Sequence, residues 1–244
     1  MLFAGWFTYD VTAFGGRRWY AIQGNVSKLN TTELLPIFDM EGGNFNALPS
    51  IDAHGPLGRA SIQFSDCSTG SLSYIFTDGS GRAGTIPLTR ITPNVTCSAD
   101  GGNGAATSDY LLSGNWFNPT TSGQGLIFDF SPSLNLVFGA WYTFKPNGQQ
   151  IGGPASQDWY TLQSNQFVPG ITSLDNIPIV ETTGGVFDNS APVTTTQAGT
   201  ASISFQSCDA MTLSYQFTTG QNKGSAGSMD LVRVGATPAG CAIH

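Results

Sequence analysis

The chain has 244 residues, 40% of them apolar, with only 10% Asp, Glu, Lys or Arg and a net charge of −7. That length allows one large or two ordinary domains with real cores, and charge so far below the roughly 25% usual in soluble domains leaves solubility to Ser, Thr, Asn, Gln and Gly. The acidic balance and nine scattered basic residues exclude a nucleic-acid footprint, and no apolar run is long enough for a membrane helix.

MLFAGWFTYD opens the sequence as a strand, with Phe3, Phe7 and Tyr9 on one face and Leu2, Trp6 and Thr8 on the other. It has neither the basic start nor the small-residue cleavage site of a signal peptide. RRWYAIQGN (17–25), GRASIQFSDC (58–67), SLSYIFTDG (71–79) and LTRI (88–91) follow, separated by Gly/Pro/Asn/Asp turns. SADGGNGAATSD (98–109) reads as a linker. Its Asp100, Asn103 and Asp109 are oxygens of the kind calcium takes, but their spacing matches no loop of fixed ligand positions. Two strands come next, around Gly114–Phe117 and Gly125–Phe130. NLVFGAWYTF then sets Leu136, Phe138, Ala140, Tyr142 and Phe144 against Val137, Gly139, Trp141 and Thr143.

From there the chain repeats itself. AWYTFK (140–145) answers GWFTYD, QDWYTLQSN (157–165) answers RRWYAIQGN, GTASISFQSC (199–208) answers GRASIQFSDC, TLSYQFTTG (212–220) answers SLSYIFTDG, and LVRV (231–234) answers LTRI. The separation stays nearly constant over five blocks, which chance likeness of two β-rich halves would not sustain. The expectation is an all-β protein of two antiparallel units, residues 1–97 and 110–244, joined by the 98–109 linker. About eight strands per complete unit close as an up-and-down barrel, with a sandwich as the alternative. The first unit lacks counterparts of the two strands that precede NLVFGAWYTF. On that reading roughly 25 residues of a full unit would precede Met1, and the open edge would be covered by the linker, the other unit or a second copy of the chain.

Four cysteines allow three pairings, and the repeat selects Cys67–Cys97 with Cys208–Cys241. Each bridge would add roughly 3 to 4 kcal/mol by the chain-entropy argument and implies an oxidising compartment, extracellular or periplasmic. A zinc site would need closer paired spacing. Arg90 and Arg233, the basic pair kept in both units, are read as inward structural arginines bonded to carboxylates or carbonyls.

Ser113, Gly114, Trp116, Pro119, Ser122, Gly123 and Gly125, followed by AWYTF and GTASISF, resemble the repeat family of secreted bacterial β-proteins whose units read SGxWxxPxxSGxG. The resemblance implies architecture and secretion and carries no activity. Gly114–Trp116 is also similar to the GxW of the first strand in lipocalin and avidin barrels, which implies a barrel open to a ligand at one end.

Two chemistries are conceivable on these residues. Trp141 and Thr143 share a strand face, as do Trp159, Thr161 and Gln163, and in the first unit Trp6 with Thr8 and Trp19 with Gln23. If those faces coincide with that of Asp129, Ser202, Ser204, Ser214 and Gln216, indoles stand among neutral polar groups, which suits a carbohydrate. The bland alternative is that the tryptophans cover a core. For hydrolysis, His54 and Asp52 lie together but no GxSxG elbow occurs, and the other histidine, His244, is terminal. Asp39, Glu41 and Glu181 are the carboxylates that could work as acid and base. The expectation is a secreted binding or cell-surface module for a glycan or other small neutral ligand, without cofactor. An extracellular hydrolase of esters, lactones or glycosides, with or without a metal, and a structural matrix or adhesion protein are the alternatives.

Overall fold

The computed structural model describes residues 2–11, 16–26, 33–51, 53–93, 97 and 108–243. The first unit is a six-stranded antiparallel meander: β1 (Leu2–Tyr9), β2 (Arg17–Gly24), β3 (Leu35–Asp39), β4 (His54–Phe64), β5 (Thr69–Phe76) and β6 (Ala83–Thr89), in that order across the sheet. The short helix α1 (Ser108–Leu111) leads into the second unit. There β7 (Gly114–Phe117), β8 (Gly125–Ser131), β9 (Leu136–Phe144), β10 (Gln157–Ser164), β11 (Ser173–Thr183), β12 (Thr194–Ser207), β13 (Ala210–Phe217) and β14 (Ala226–Arg233) form a closed barrel, with the helical turn α2 (Gly148–Ile151) between β9 and β10. Closure is made by β14 on β7, where Val232 faces Phe117 and Arg233 faces Trp116.

The barrel, not the sandwich, is therefore the architecture of the second unit, and its interior is a packed core. Every second residue points inward, so Phe128, Val137, Trp141, Leu162, Ile179 and Leu213, all at most 2% exposed, fill the axis as eight strands permit. The first unit's β1–β6 run in the same order as β9–β14, and among the described residues no strand stands in the place of β7 and β8, so the six form a curled half-barrel. Its interior holds Tyr20, Ile22, Ile37, Ala60, Leu72 and Phe76.

The two disulfides are Cys67–Cys97 and Cys208–Cys241, with Cα separations of 5.8 and 6.2 Å. Each ties the end of a long strand, β4 or β12, to the tail of its own unit. Arg233 points inward, donating to the carbonyls of Cys208, Ser113 and Leu111 at 2.8, 2.9 and 3.0 Å. None of the described helices is long and apolar enough to cross a membrane.

Candidate functional site

The outer faces of β1–β2 and β9–β10 pack against each other, and their aromatic and indole contacts come in reciprocal pairs. The Trp19 indole donates to the Thr143 carbonyl at 3.1 Å, and Trp159 donates to that of Thr8 at 2.9 Å. Trp19 packs on Tyr142 and Phe144; Trp159 packs on Phe7 and Tyr9. Such exchange of equivalent residues is the signature of a twofold, isologous interface, here built within one chain.

At its centre the corresponding polar pairs of β2 and β10, Arg17–Arg18 and Gln157–Asp158, meet. Arg17 pairs with Asp158 and, at 2.6 Å, with Glu181. Arg18 donates to Gln157 at 2.6 Å and to Asp39 at 2.8 Å, and the Gln157 amide donates to the other Asp39 oxygen at 2.6 Å. The arginines and Asp39 and Asp158 are at most 9% exposed, so these are buried pairs. Burial pushes the Asp39 carboxyl up to about 7 against the pull of Arg18, and neighbouring Glu41 adds to the rise.

Each unit also lends the other an aromatic plug. Phe45, in the β3–β4 connection, enters the barrel and lies 5.3 Å from the rings of Trp141 and Tyr215. Phe187, in the β11–β12 connection, enters the half-barrel 5.3 Å from Trp6 and 5.7 Å from Tyr74. Phe45 N–H bonds the Lys145 carbonyl, and Phe187 N–H bonds that of Asp10. Asn46 donates to the Tyr215 hydroxyl at 2.8 Å, and the Tyr74 hydroxyl donates to Asp188. A side chain at Gly43 would strike the Phe144 ring, and one at Gly185 the Tyr9 ring. GGNFN (42–46) and GGVFD (184–188) are the signal in the sequence that marks these loops, a sixth repeated block outside the strands.

A cleft of about 220 Å³ opens where the units meet. Phe3 and Met40 line it from the first unit, with Phe117, Tyr142 and Val234 from the second, and no lining residue carries a charge. Ser122 and Gly123, from the SGxG stretch, form part of its wall. Gln124 is committed: it accepts from Thr143 Oγ1 and the Asn46 N–H and donates to the Asn44 carbonyl. By contrast the side chains of Gln23, Ser122 and Tyr142 make no hydrogen bond with a described residue. Burial holds the Tyr142 phenol above its ordinary range, so it stays a neutral donor.

The residues singled out by sequence do not share one polar face. Register pairs Tyr142 with Trp159 and Trp141 with Tyr160, so alternation sends Trp141 and Thr143 into the barrel and Trp159 and Gln163 outward. Trp6 faces the half-barrel interior, whereas Trp19 and Gln23 face out. Trp141 is fully buried, Trp19 and Trp159 are 2% and 6% exposed, and the three are core or interface residues, not ligand platforms. Asp129 accepts from the Thr92 hydroxyl, and Gln163, Ser204 and Gln216 stand exposed on the outer wall. Only Gln23 of this group lines the cleft.

The carboxylates are likewise not assembled around a cavity. Asp39 and Glu181 are held by Arg18 and Arg17 in the interface, and Glu41 lies beside Asp39. His54 pairs in register with Asp39 at the exposed start of β4. Asp52, Asp100, Asn103 and His244 lie outside the described residues. Asp109 is buried and accepts the Gly170 N–H at 2.8 Å. Among the described residues no cluster of three His, Cys, Asp or Glu could hold a metal. No family model, curated protein or solved structure matches the chain.

Proposed function

We propose that the protein is a secreted binding or cell-surface module whose small, uncharged, polyhydroxylated ligand sits in the cleft between the two units. The uncharged wall carries this reading. Phe3, Phe117 and Tyr142 supply apolar surface for the C–H face of a sugar, while Gln23, Ser122 and the Tyr142 hydroxyl have hydrogen-bonding capacity that no described residue uses. Two disulfides suit an oxidising compartment. The ligand class is the one expected from the tryptophan faces, moved to the residues that line this cleft.

The test is a glycan array followed by calorimetric titration of the best neutral saccharide. Gln23→Ala and Tyr142→Phe should each weaken binding by about tenfold, the value of one hydrogen bond to a neutral group, with the fold unchanged by circular dichroism. Silence across the array overturns the reading in favour of a structural or adhesion protein. Turnover in a panel of ester, lactone and glycoside substrates, abolished by Asp39→Asn or His54→Ala, overturns it in favour of a hydrolase.

A further inference from the structure

The buried charges of the interface run on into the mouth of the barrel. Arg17 uses Nε on Asp158 and Nη1 on Glu181, and its guanidinium lies 5.2 Å from the centre of the Tyr160 ring. The Tyr160 hydroxyl has a single proton, which it donates to Asp158 at 2.9 Å, because a carboxylate only accepts. Asn222, in the β13–β14 turn and 1% exposed, therefore meets that hydroxyl with its amide nitrogen, at 3.0 Å. This chain of bonds fixes the orientation of the amide. Its acceptor, Oδ1, is left over.

Two further atoms of this node are in the same position. Arg17 Nη2 is buried and, like Asn222 Oδ1, has no hydrogen-bond partner among the described residues. Glu181 gives Oε1 to Arg17, while its Oε2 bonds no described residue and faces the turn that carries Asn222: a Cβ at Gly220 would stand 2.8 Å from it. The first unit fills the matching place with a longer side chain. There the hydroxyl of Tyr20, the counterpart of Tyr160, receives an N–H from Arg82 at 3.3 Å, and the Arg82 guanidinium lies 4.0 Å over Phe76. Asn222 reaches Tyr160 from the corresponding turn but is shorter and brings no guanidinium.

We propose that this node is a binding site for one internal water molecule, held by Arg17, Asn222 and Glu181. The chemistry of the three atoms selects the occupant. Nη2 donates, whereas Oδ1 and Oε2 accept, so the molecule between them takes one hydrogen bond and gives two. Water does this, and buried waters in proteins bond two to four polar groups that would otherwise go unpaired. An anion has no proton to give to Oδ1 or Oε2, and a metal ion would face the N–H of a guanidinium. The water joins the β13–β14 turn of the barrel to Arg17 of the other unit. Asn222, which makes no direct hydrogen bond to a described residue of the first unit, thereby takes part in holding the units together. The inference does not depend on the cleft or its ligand.

The test is a high-resolution crystal structure of the full chain, together with solvent deuterium relaxation dispersion of the parent and of Asn222→Leu, which keeps the volume and removes the amide. The crystal should show a single water peak within about 2.7 to 3.2 Å of Arg17 Nη2, Asn222 Oδ1 and Glu181 Oε2. Relaxation dispersion should count one fewer long-lived water in Asn222→Leu. The parent crystal decides alone if that variant does not fold. No peak at the node, a main-chain carbonyl of residues 12–15 bonded directly to Nη2, or density of an ion or larger molecule there overturns the proposal. So does an unchanged count of long-lived waters in a folded Asn222→Leu.

Discussion

Phe45 and Phe187 occupy each other's barrels: each leaves its own unit from a GG-x-F loop and completes the aromatic cluster of the other. A core that is finished by its neighbour's side chain loses buried aromatic contact when that neighbour is removed. The two units are thus coupled through packing, through the Trp19 and Trp159 indole bonds, and through the Arg17–Asp158 and Arg17–Glu181 pairs, which separation would break.

Removing either plug should destabilise both units together. Phe187→Ala and Phe45→Ala each leave a void lined by aromatic rings, a change that typically costs about 3 to 5 kcal/mol. Guanidinium unfolding followed by near-ultraviolet circular dichroism and by amide exchange in each unit should show one coincident transition at lower denaturant. Loss of structure confined to one unit would show that the plugs decorate the interface without coupling the cores.

The Arg17–Asp158 pair should behave as a buried charge pair does. Arg17→Ala strands Asp158, which is 1% exposed, and should destabilise by about 3 to 5 kcal/mol. Replacing both partners, Arg17→Met with Asp158→Leu, should recover much of the loss, since breaking a pair costs more than removing it. A double-mutant cycle from chemical denaturation measures the difference. Additive single losses would mean that Arg17 acts through Glu181 and its stacking on Tyr160 alone.

The strands, the short first unit and both disulfides were legible because they rest on alternation and on a repeat that keeps its spacing, whereas alternation suits a barrel and a sandwich alike and only the β14–β7 closure decides between them. Which side of a strand faces the core was harder to read. Both faces of NLVFGAWYTF are apolar, one for the barrel and one for the interface, so Thr143 beside Trp141 looked like a solvent face although both are buried. The interface charges were hidden for a related reason. Arg17–Arg18 and Gln157–Asp158 are corresponding pairs of unlike chemistry, and their complementarity exists only once β2 and β10 are laid across each other. The GG-x-F loops were readable, but an alignment built on strands passes over a two-glycine turn.

Those glycines carry a prediction of their own. A Cβ at Gly43 or Gly185 would come within 2.3 or 2.1 Å of the Phe144 or Tyr9 ring, and each ring is packed on a tryptophan, Trp19 or Trp159. Gly43→Ala and Gly185→Ala should therefore destabilise by about 1 to 3 kcal/mol through overpacking, an unusual sign for a loop substitution. Thermal unfolding of the two variants is the measurement. Alanine at either position raising the midpoint would mean that the loop shifts freely and the plug is not seated.

Asp39 should give the fold an unusual pH dependence. Its carboxyl rises from an ordinary 3.8 to about 7 in the folded protein, because burial outweighs the Arg18 guanidinium and Glu41 stands beside it. The folded state thus holds this proton more tightly than the unfolded chain. The sign follows from linkage: the contribution is fully present below 3.8, falls as pH rises, and is gone above about 7. Asp66 and Asp78 are shifted the other way, below the ordinary range, so any loss from them comes only in more acidic solution. Denaturant midpoints taken through the Asp39 range should decline toward neutrality in the parent protein. Asp39→Asn, which keeps the shape and carries no charge, should flatten the decline and be the more stable protein at neutral pH. A parent curve that rises toward neutrality, with Asp39→Asn the weaker protein there, would show that Arg18 and Gln157 hold Asp39 as a carboxylate.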